Sequence, residues 1–389
     1  MNELPKQETI IRLRKLQQSM RKLQSDACVI TSGVNQYWLC GAIFDGYIMV
    51  FPEGDPLLLV KRPSTLAGEK VMPIRKPEQI PDLLRGAGLP LPKRVLLESD
   101  VLSLNAALRL QAALEMPEIE NVSGEIRKIR AVKSAYELQQ IRESAAIHTR
   151  VYALIPSLYR KGMTDLALQI EIERQMRLHG SMGIFRSFGE NMDIFMGSIL
   201  AGDNAQAASP YDYALGGEGI TPLLPLGANG TLLAPGTTLM VDMAGNYRPY
   251  MDDMTRTFVI EHAPDLAYKA HQVSIDIVHA IEETTRAGTP CAELYLIAEK
   301  IVKENKLEKY FMGTVQQAKF IGHGVGLEIN EPPVLTRRSK DILEPGMAIA
   351  LEPKFVLPGI GAVGIENTYI VHESGLEKIT LCEEALITL

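Results

Sequence analysis

Apolar and polar positions alternate along the chain with two periods, and these divide it into strands and helices. Residues 7–25 carry apolar positions at helical spacing among many charges, which predicts an amphipathic helix. Short runs of aliphatic residues then predict strands from Ala27 to Thr31, Gly46 to Phe51, Pro56 to Val60 and Arg94 to Glu98, with Glu53-Gly54-Asp55 as a turn between the second and third. A helix follows from Ser103 to Glu115. These elements form an α/β unit over residues 1–125. It has no cluster of His and carboxylate at ligand spacing, so it reads as a supporting or oligomerising domain.

A boundary falls between Asn121 and Ala131, and residues 126–389 form the second domain. Its first helix opens on Ser134-x-x-Glu137, a capping box, with Leu138, Ile141 and Ala145 recurring behind it. Thr164 caps a second helix that runs to Leu178 and closes at His179-Gly180, where the histidine suits a helix C-terminus better than a ligand role. Pro264 to Thr285 and Cys291 to Asn305 are two more helices, and His271 and His279 in the first of them read as ordinary helix residues. Phe188 to Gly236 is rich in Gly, Pro, Ala, Asn and Asp. A long structureless loop is uncommon within a compact domain and is often functional. This one ends just before a hairpin and could cover whatever that hairpin binds.

That hairpin is Leu239 to Phe258, with its turn at Asn246 to Pro249. A pivot between Tyr247 and Arg248 makes Asp242 and Asp253 cross-strand partners, with Cβ atoms roughly 4.5–5.5 Å apart. Two carboxylates that close, among Val, Met and Phe, repel unless something positive lies between them. Arg256 stands at an odd offset from Asp253, on the other strand face, so a cation is the remaining solution. A second strand-turn-strand, Ile349 to Val371, turns at Pro358-Gly359-Ile360-Gly361; pivoting at Gly359 pairs Glu352 with Glu366. His323 is flanked by glycines in Ile321-Gly322-His323-Gly324-Val325-Gly326-Leu327, where backbone can approach closely. Four carboxylates and one imidazole suit two divalent cations such as Mn, Fe, Co or Zn rather than a thiolate site. Such a pair, about 3.5–4 Å apart, activates water for hydrolysis.

Composition narrows the setting. The 389 residues are 46% hydrophobic and 22% charged, with a net charge of -7. That balance argues against general binding to nucleic acid or to an anionic membrane. No run of 18 or more apolar residues predicts a membrane span. The four cysteines, Cys28, Cys40, Cys291 and Cys382, are scattered without a CxxC pair, which suggests reduced thiols and a cytoplasmic protein.

Taken together, Asp242, Tyr250-x-x-Asp253-x-Thr255-Arg256-Thr257, Gly322-His323-Gly324-Val325-Gly326, Pro345-Gly346-Met347, Glu352-Pro353 and Ile365-Glu366 resemble the pita-bread metallopeptidases, among them Xaa-Pro aminopeptidase, prolidase and methionine aminopeptidase. The metal-free creatinases share that fold but lack the full ligand set. The resemblance implies an α+β architecture, with a creatinase-like N-terminal domain (1–125) before a pita-bread catalytic domain (126–389). It implies a dinuclear hydrolase acting on Xaa-Pro peptides, or on a small amide, as a homodimer. Asp242 would be the terminal ligand of one ion, His323 and Glu352 would hold the other, and Asp253 and Glu366 would bridge both. Glu352 would also assist proton transfer, and His323 and Asn330 complete the catalytic candidates.

Three positions depart from the family pattern. Leu226 stands where a histidine is usual, in Leu224-Pro225-Leu226-Gly227. Asn330 replaces a second histidine before Glu331-Pro332-Pro333, and Gly364 replaces an arginine two residues before the last Glu. Asn330 can donate a hydrogen bond but cannot carry charge. Loss of the arginine removes a carboxylate partner. Together with the expanded segment 197–230, these changes point to a retained metal site beside a rebuilt substrate site. A hydrolase or lyase of a small molecule is the alternative reading.

Overall fold

A computed structural model describes residues 4–189 and 196–389, so residues 190–195 of the long Gly/Pro-rich segment lie outside the described part. The chain forms two compact units, Met1–Arg130 and Ala131–Leu389.

In the first unit, a six-stranded sheet runs in the order Val71–Pro73, Leu57–Arg62, Asp45–Val50, Ala27–Ile30, Arg94–Leu97, Glu118–Asn121. Ala27–Ile30 lies inside the sheet and is buried along its whole length, which is why it is a continuous apolar run without alternation. The helix Lys6–Lys22 ends before Gln24, whose φ of 53° leaves the helical region. A helix not foreseen, Gly33–Cys40, is fixed by buried Glu98, whose carboxylate accepts from the backbone N–H groups of Thr31 and Ser32 and from Asn35 Nδ2. Helix Ser123–Ala131 closes the unit.

The second unit opens as its capping box requires. Ser134 Oγ accepts from Glu137 N (3.2 Å), Glu137 Oε2 accepts from Ser134 N (2.8 Å), and the helix runs Ala135–Tyr152. Thr164 Oγ1 accepts from Ala167 N and caps Asp165–Leu178. Helices Asp265–Thr284 and Cys291–Glu304 pack their apolar faces into the larger core. These helices back two antiparallel arrays. One holds Glu331–Thr336, Phe320–Gly324, Ala348–Leu351, Asn367–Val371 and Leu376–Lys378; the other holds Gly197–Ala201, Thr238–Gly245, Asp252–Val259 and, parallel to the last, Ile387–Thr388.

The segment expected to be structureless, Phe188 to Gly236, contains one of these strands. Gly197–Ala201 pairs antiparallel with Thr238–Gly245, placing Ser198 opposite Asp242. Its apolar run is too short to show a period, and only its partner strand makes it a strand. The remainder folds back on itself: Gly227 N donates to Gly216 O, and Asn204 binds both Gly227 O and Glu218 N.

Candidate metal centre

The first hairpin carries Asp242 and Asp253 on one face, but not directly opposite each other. The register pairs Asp242 with Thr255 and Ala244 with Asp253, a shift of two residues from the expected pairing. The connection spans Asn246 to Met251 and is longer than a tight turn. Ser144 holds it open by donating to Tyr250 O (2.8 Å) and accepting from Arg248 N (3.0 Å), while Tyr250 Oη donates to Glu137. A shift of two keeps every side chain on its face, so the carboxylates remain diagonal neighbours.

The second hairpin turns as expected. Lys354 pairs with Gly364, and the same register resumes with Leu351 opposite Asn367, which sets Glu352 against Glu366. At that point the two strands part. Glu352 N donates to Ile321 O (2.8 Å), in the strand that carries His323, and Glu366 N donates to Thr255 O (3.1 Å), two residues from Asp253. The hairpin therefore bridges the two arrays and brings all four carboxylates to His323. Arg256, on the opposite face, fastens this junction from behind by donating to Glu366 O, Thr255 O and Asn367 Oδ1.

All five predicted ligands line one cleft, walled by Phe185, Tyr213, Leu215, Leu226, Phe320 and Ile329. His323 donor and acceptor roles are set by Gly324 O, 3.1 Å from Nδ1, so Nε2 faces the cleft. His323 Nε2 lies 3.5 Å from Glu352 Oε1 and 3.9 Å from Asp253 Oδ2. The ligand atoms form two groups tight enough for an ion: Asp253, His323 and Glu366, and Asp242, Glu352 and Glu366.

Lys354 was not foreseen as part of this site. Its ammonium donates to Asp242 Oδ2 at 2.8 Å, Glu352 Oε2 at 2.7 Å and Glu366 Oε2 at 3.2 Å, and its side chain is fully buried. The signal was present: Lys354 follows Glu352 by two residues, so strand periodicity puts both on one face. The expectation was of a metal cation between Asp242 and Asp253; the chain's own ammonium instead meets Asp242, Glu352 and Glu366. Burial alone would pull the Lys354 pKa down, but Asp242, Glu352 and Glu366 outweigh it and hold the ammonium well above its ordinary value. Burial, then the neighbouring carboxylates, push Asp253 well above the usual carboxylate range. Burial raises Glu352, and it raises Glu366 to about 8 against the opposing pull of Lys354. Carboxylates this costly to ionise without a positive partner favour cation binding.

The departures from the family pattern have distinct structural consequences. Leu226 is buried against the cleft and makes its wall apolar. Asn330 lines the cleft, yet its Oδ1 accepts from Phe188 N and its Nδ2 donates to Phe188 O, both at 2.7 Å. The amide thus mimics a strand partner and holds segment 185–188 at the rim, aided by the bond from Ile329 N to Arg186 O. Gly364 has φ +139°, and a Cβ there would lie 2.6 Å from Pro353 O, so no arginine fits at that position. Within the segment Phe188 to Gly236, Asp212 to Leu215 and Leu226 line the cleft. His179 binds Gln175 O at its helix end, and His271 binds Glu384 O, away from the five ligands.

Four carboxylates and an imidazole delivered by two half-sheets form a candidate metal centre on a pita-bread fold. The chain belongs to metallopeptidase family M24, whose model matches residues 139–373, and residues 12–132 match the creatinase/prolidase N-terminal domain. Among its relatives is the Xaa-Pro dipeptidase of Pyrococcus horikoshii, 24% identical over 381 residues, 97% of this chain and 98% of that protein. The fold is also that of an Xaa-Pro dipeptidase from Bacillus anthracis (TM-score 0.82, 21% identity, 98% of this chain and 100% of that one). An X-Pro aminopeptidase from Thermotoga maritima is similar too (TM-score 0.78, 19% identity, 96% and 100%).

Proposed function

We propose that this protein is a metal-dependent hydrolase that cleaves Xaa-Pro peptide bonds. The observation that carries the reading is the convergence of Asp242, Asp253, His323, Glu352 and Glu366 in one cleft of a family M24 fold. Asp253, His323 and Glu366, with Glu352 alongside, would hold a divalent ion of the Mn, Co, Zn or Fe type. When bound, such an ion supplies Lewis acidity and an activated water. Glu352 lies at the cleft with its pKa raised by burial, which suits it to hold and return a proton during turnover. Leu226, Tyr213 and Phe185 offer an apolar surface suited to a proline ring or an apolar side chain. Asn330 acts as a positioning residue that keeps the 185–188 rim in place.

The finer readings are a cytoplasmic homodimer, with peptide rather than nucleic acid or membrane as its partner. Four free cysteines support a reducing compartment. Among the described residues, no helix is long and apolar enough to cross a membrane. The test is hydrolysis of Xaa-Pro dipeptides and longer Xaa-Pro peptides by Mn- or Co-loaded protein, beside Asp253→Ala. Turnover by the parent and its loss in the variant are expected. Absence of turnover on every peptide would remove the peptidase reading.

A further inference from the structure

We propose that Lys354 is a built-in cation whose ammonium takes the place among Asp242, Glu352 and Glu366, so that the chain holds one divalent ion, at Asp253, His323 and Glu366. This rests on the reading of the cleft as a metal centre, and it concerns how many ions that centre holds.

Three observations carry it. The first is coincidence of place. One of the two ligand groups tight enough for an ion consists of the same three residues that Lys354 binds, at 2.7 to 3.2 Å. An ammonium has three donors, and here each meets an oxygen from a different carboxylate. Coordination at about 2.0–2.2 Å from those oxygens would put an ion on top of the ammonium nitrogen.

The second is that the lysine has no other position. Its side chain is fully buried, and its backbone is fixed on both sides: Lys354 N donates to Met312 Sδ, and Lys354 O accepts from Met312 N. Across the ladder stands Gly364, so no side chain there competes for the same face.

The third is that the other ligand group is left open. Glu366 divides its oxygens: Oε2 takes Lys354 and Thr255, while buried Oε1 has no hydrogen-bond partner among the described residues. His323 directs Nε2 into the cleft, 3.5 and 3.9 Å from carboxylate oxygens of Glu352 and Asp253. Ligands at about 2.0–2.2 Å from a tetrahedral ion stand roughly 3.3–3.6 Å from one another, so this spacing is close to that around a single ion.

The test is ion stoichiometry, read without substrate. Purified full-length protein is stripped with chelator, loaded with Mn²⁺ and desalted, and its metal is counted by mass spectrometry. One ion per chain is expected; two, or none, overturns the proposal. Paramagnetic resonance of the same sample should show the spectrum of isolated Mn²⁺, and an exchange-coupled pair overturns it. Asp242→Asn removes a partner of Lys354, so it should leave one ion bound and weaken Mn²⁺ by no more than about 100-fold, whereas Asp253→Asn, which removes a ligand, should weaken it by well over about 100-fold. Equal losses in the two variants would also overturn it. Lys354→Gly should gain a second ion, and the counts on the parent protein decide the question if that variant fails to fold. One ion without turnover of any Xaa-Pro peptide leaves this inference standing and removes the peptidase reading; two ions with turnover does the reverse.

Discussion

Lys354 has a stabilising role that can be separated from catalysis. It neutralises part of a cluster in which Asp242, Glu352 and Glu366 all lie within 3.2 Å of its nitrogen. Removing one partner of a buried ion pair leaves the others uncompensated, typically at about 3–5 kcal/mol. Lys354→Met should therefore lower the melting temperature of chelator-treated protein markedly, and Mn²⁺ should recover more of it in the variant than in the parent. Equal melting with and without metal in Lys354→Met would show that the lysine does not stand in for an ion. At this scale the chain was largely legible, since residue type and spacing picked out the five residues that the fold brings to one cleft. Lys354 was not picked out, because a lysine in a strand is usually a solvated residue. Only the closing of two arrays around position 354 makes it part of the centre.

Elements decide where these residues point. The hairpin carrying Asp242 and Asp253 pairs two residues away from the register its turn suggested, because Ser144 and Glu137, on a distant helix, hold the connection open. The face survived the error because strands have a period of two. The second hairpin was read in its true register, since the Pro358-Gly359 turn is local. At Gly364 a methyl group would lie 2.6 Å from Pro353 O on a backbone at φ +139°. Gly364→Ala is expected to destabilise the second unit by about 1–3 kcal/mol, measured by thermal or urea unfolding. Asn330→Ala removes both bonds to Phe188. Hydrogen exchange should rise at residues 185–188 while metal affinity stays within threefold, at roughly 0.5–1.5 kcal/mol per lost bond. A large loss of metal binding instead would make Asn330 part of the centre.

For the molecule as a whole, stability depends on groups far from the ligands. His271 is buried, donates from Nε2 to Glu384 O, and is held neutral by burial, which lowers its pKa from 6.5 to about 4. Because the folded-state value is depressed, the unfolded chain takes up the proton first. The stability His271 contributes is complete above pH 6.5 and is lost as pH falls toward 4. The loss is of order 2–3 kcal/mol, and His271→Gln should flatten the unfolding free energy across that window. A slope unchanged in the variant would assign acid sensitivity elsewhere. Metal saturation should act in the other direction: at about 100 times the dissociation constant, an ion bound only by the folded state adds about 2.7 kcal/mol. Chelator should lower the melting temperature accordingly.

The amino-acid sequence by itself determined the kind of centre this protein builds. Residue type sets the donor chemistry, and short-range periodicity sets the face, so Asp242, Asp253, His323, Glu352 and Glu366 could be picked out without coordinates, as could the capping box at Ser134 and the N-cap at Thr164. Tertiary structure alone decided how those side chains are placed against one another. Residues far apart in the chain meet only in the folded state: Gly197–Ala201 pairs beside Asp242 within one array, Asn330 is fastened to Phe188, and the Lys354 ammonium is buried among three carboxylates. Long-range contacts and desolvation govern each of these, and neither leaves a local pattern in the sequence.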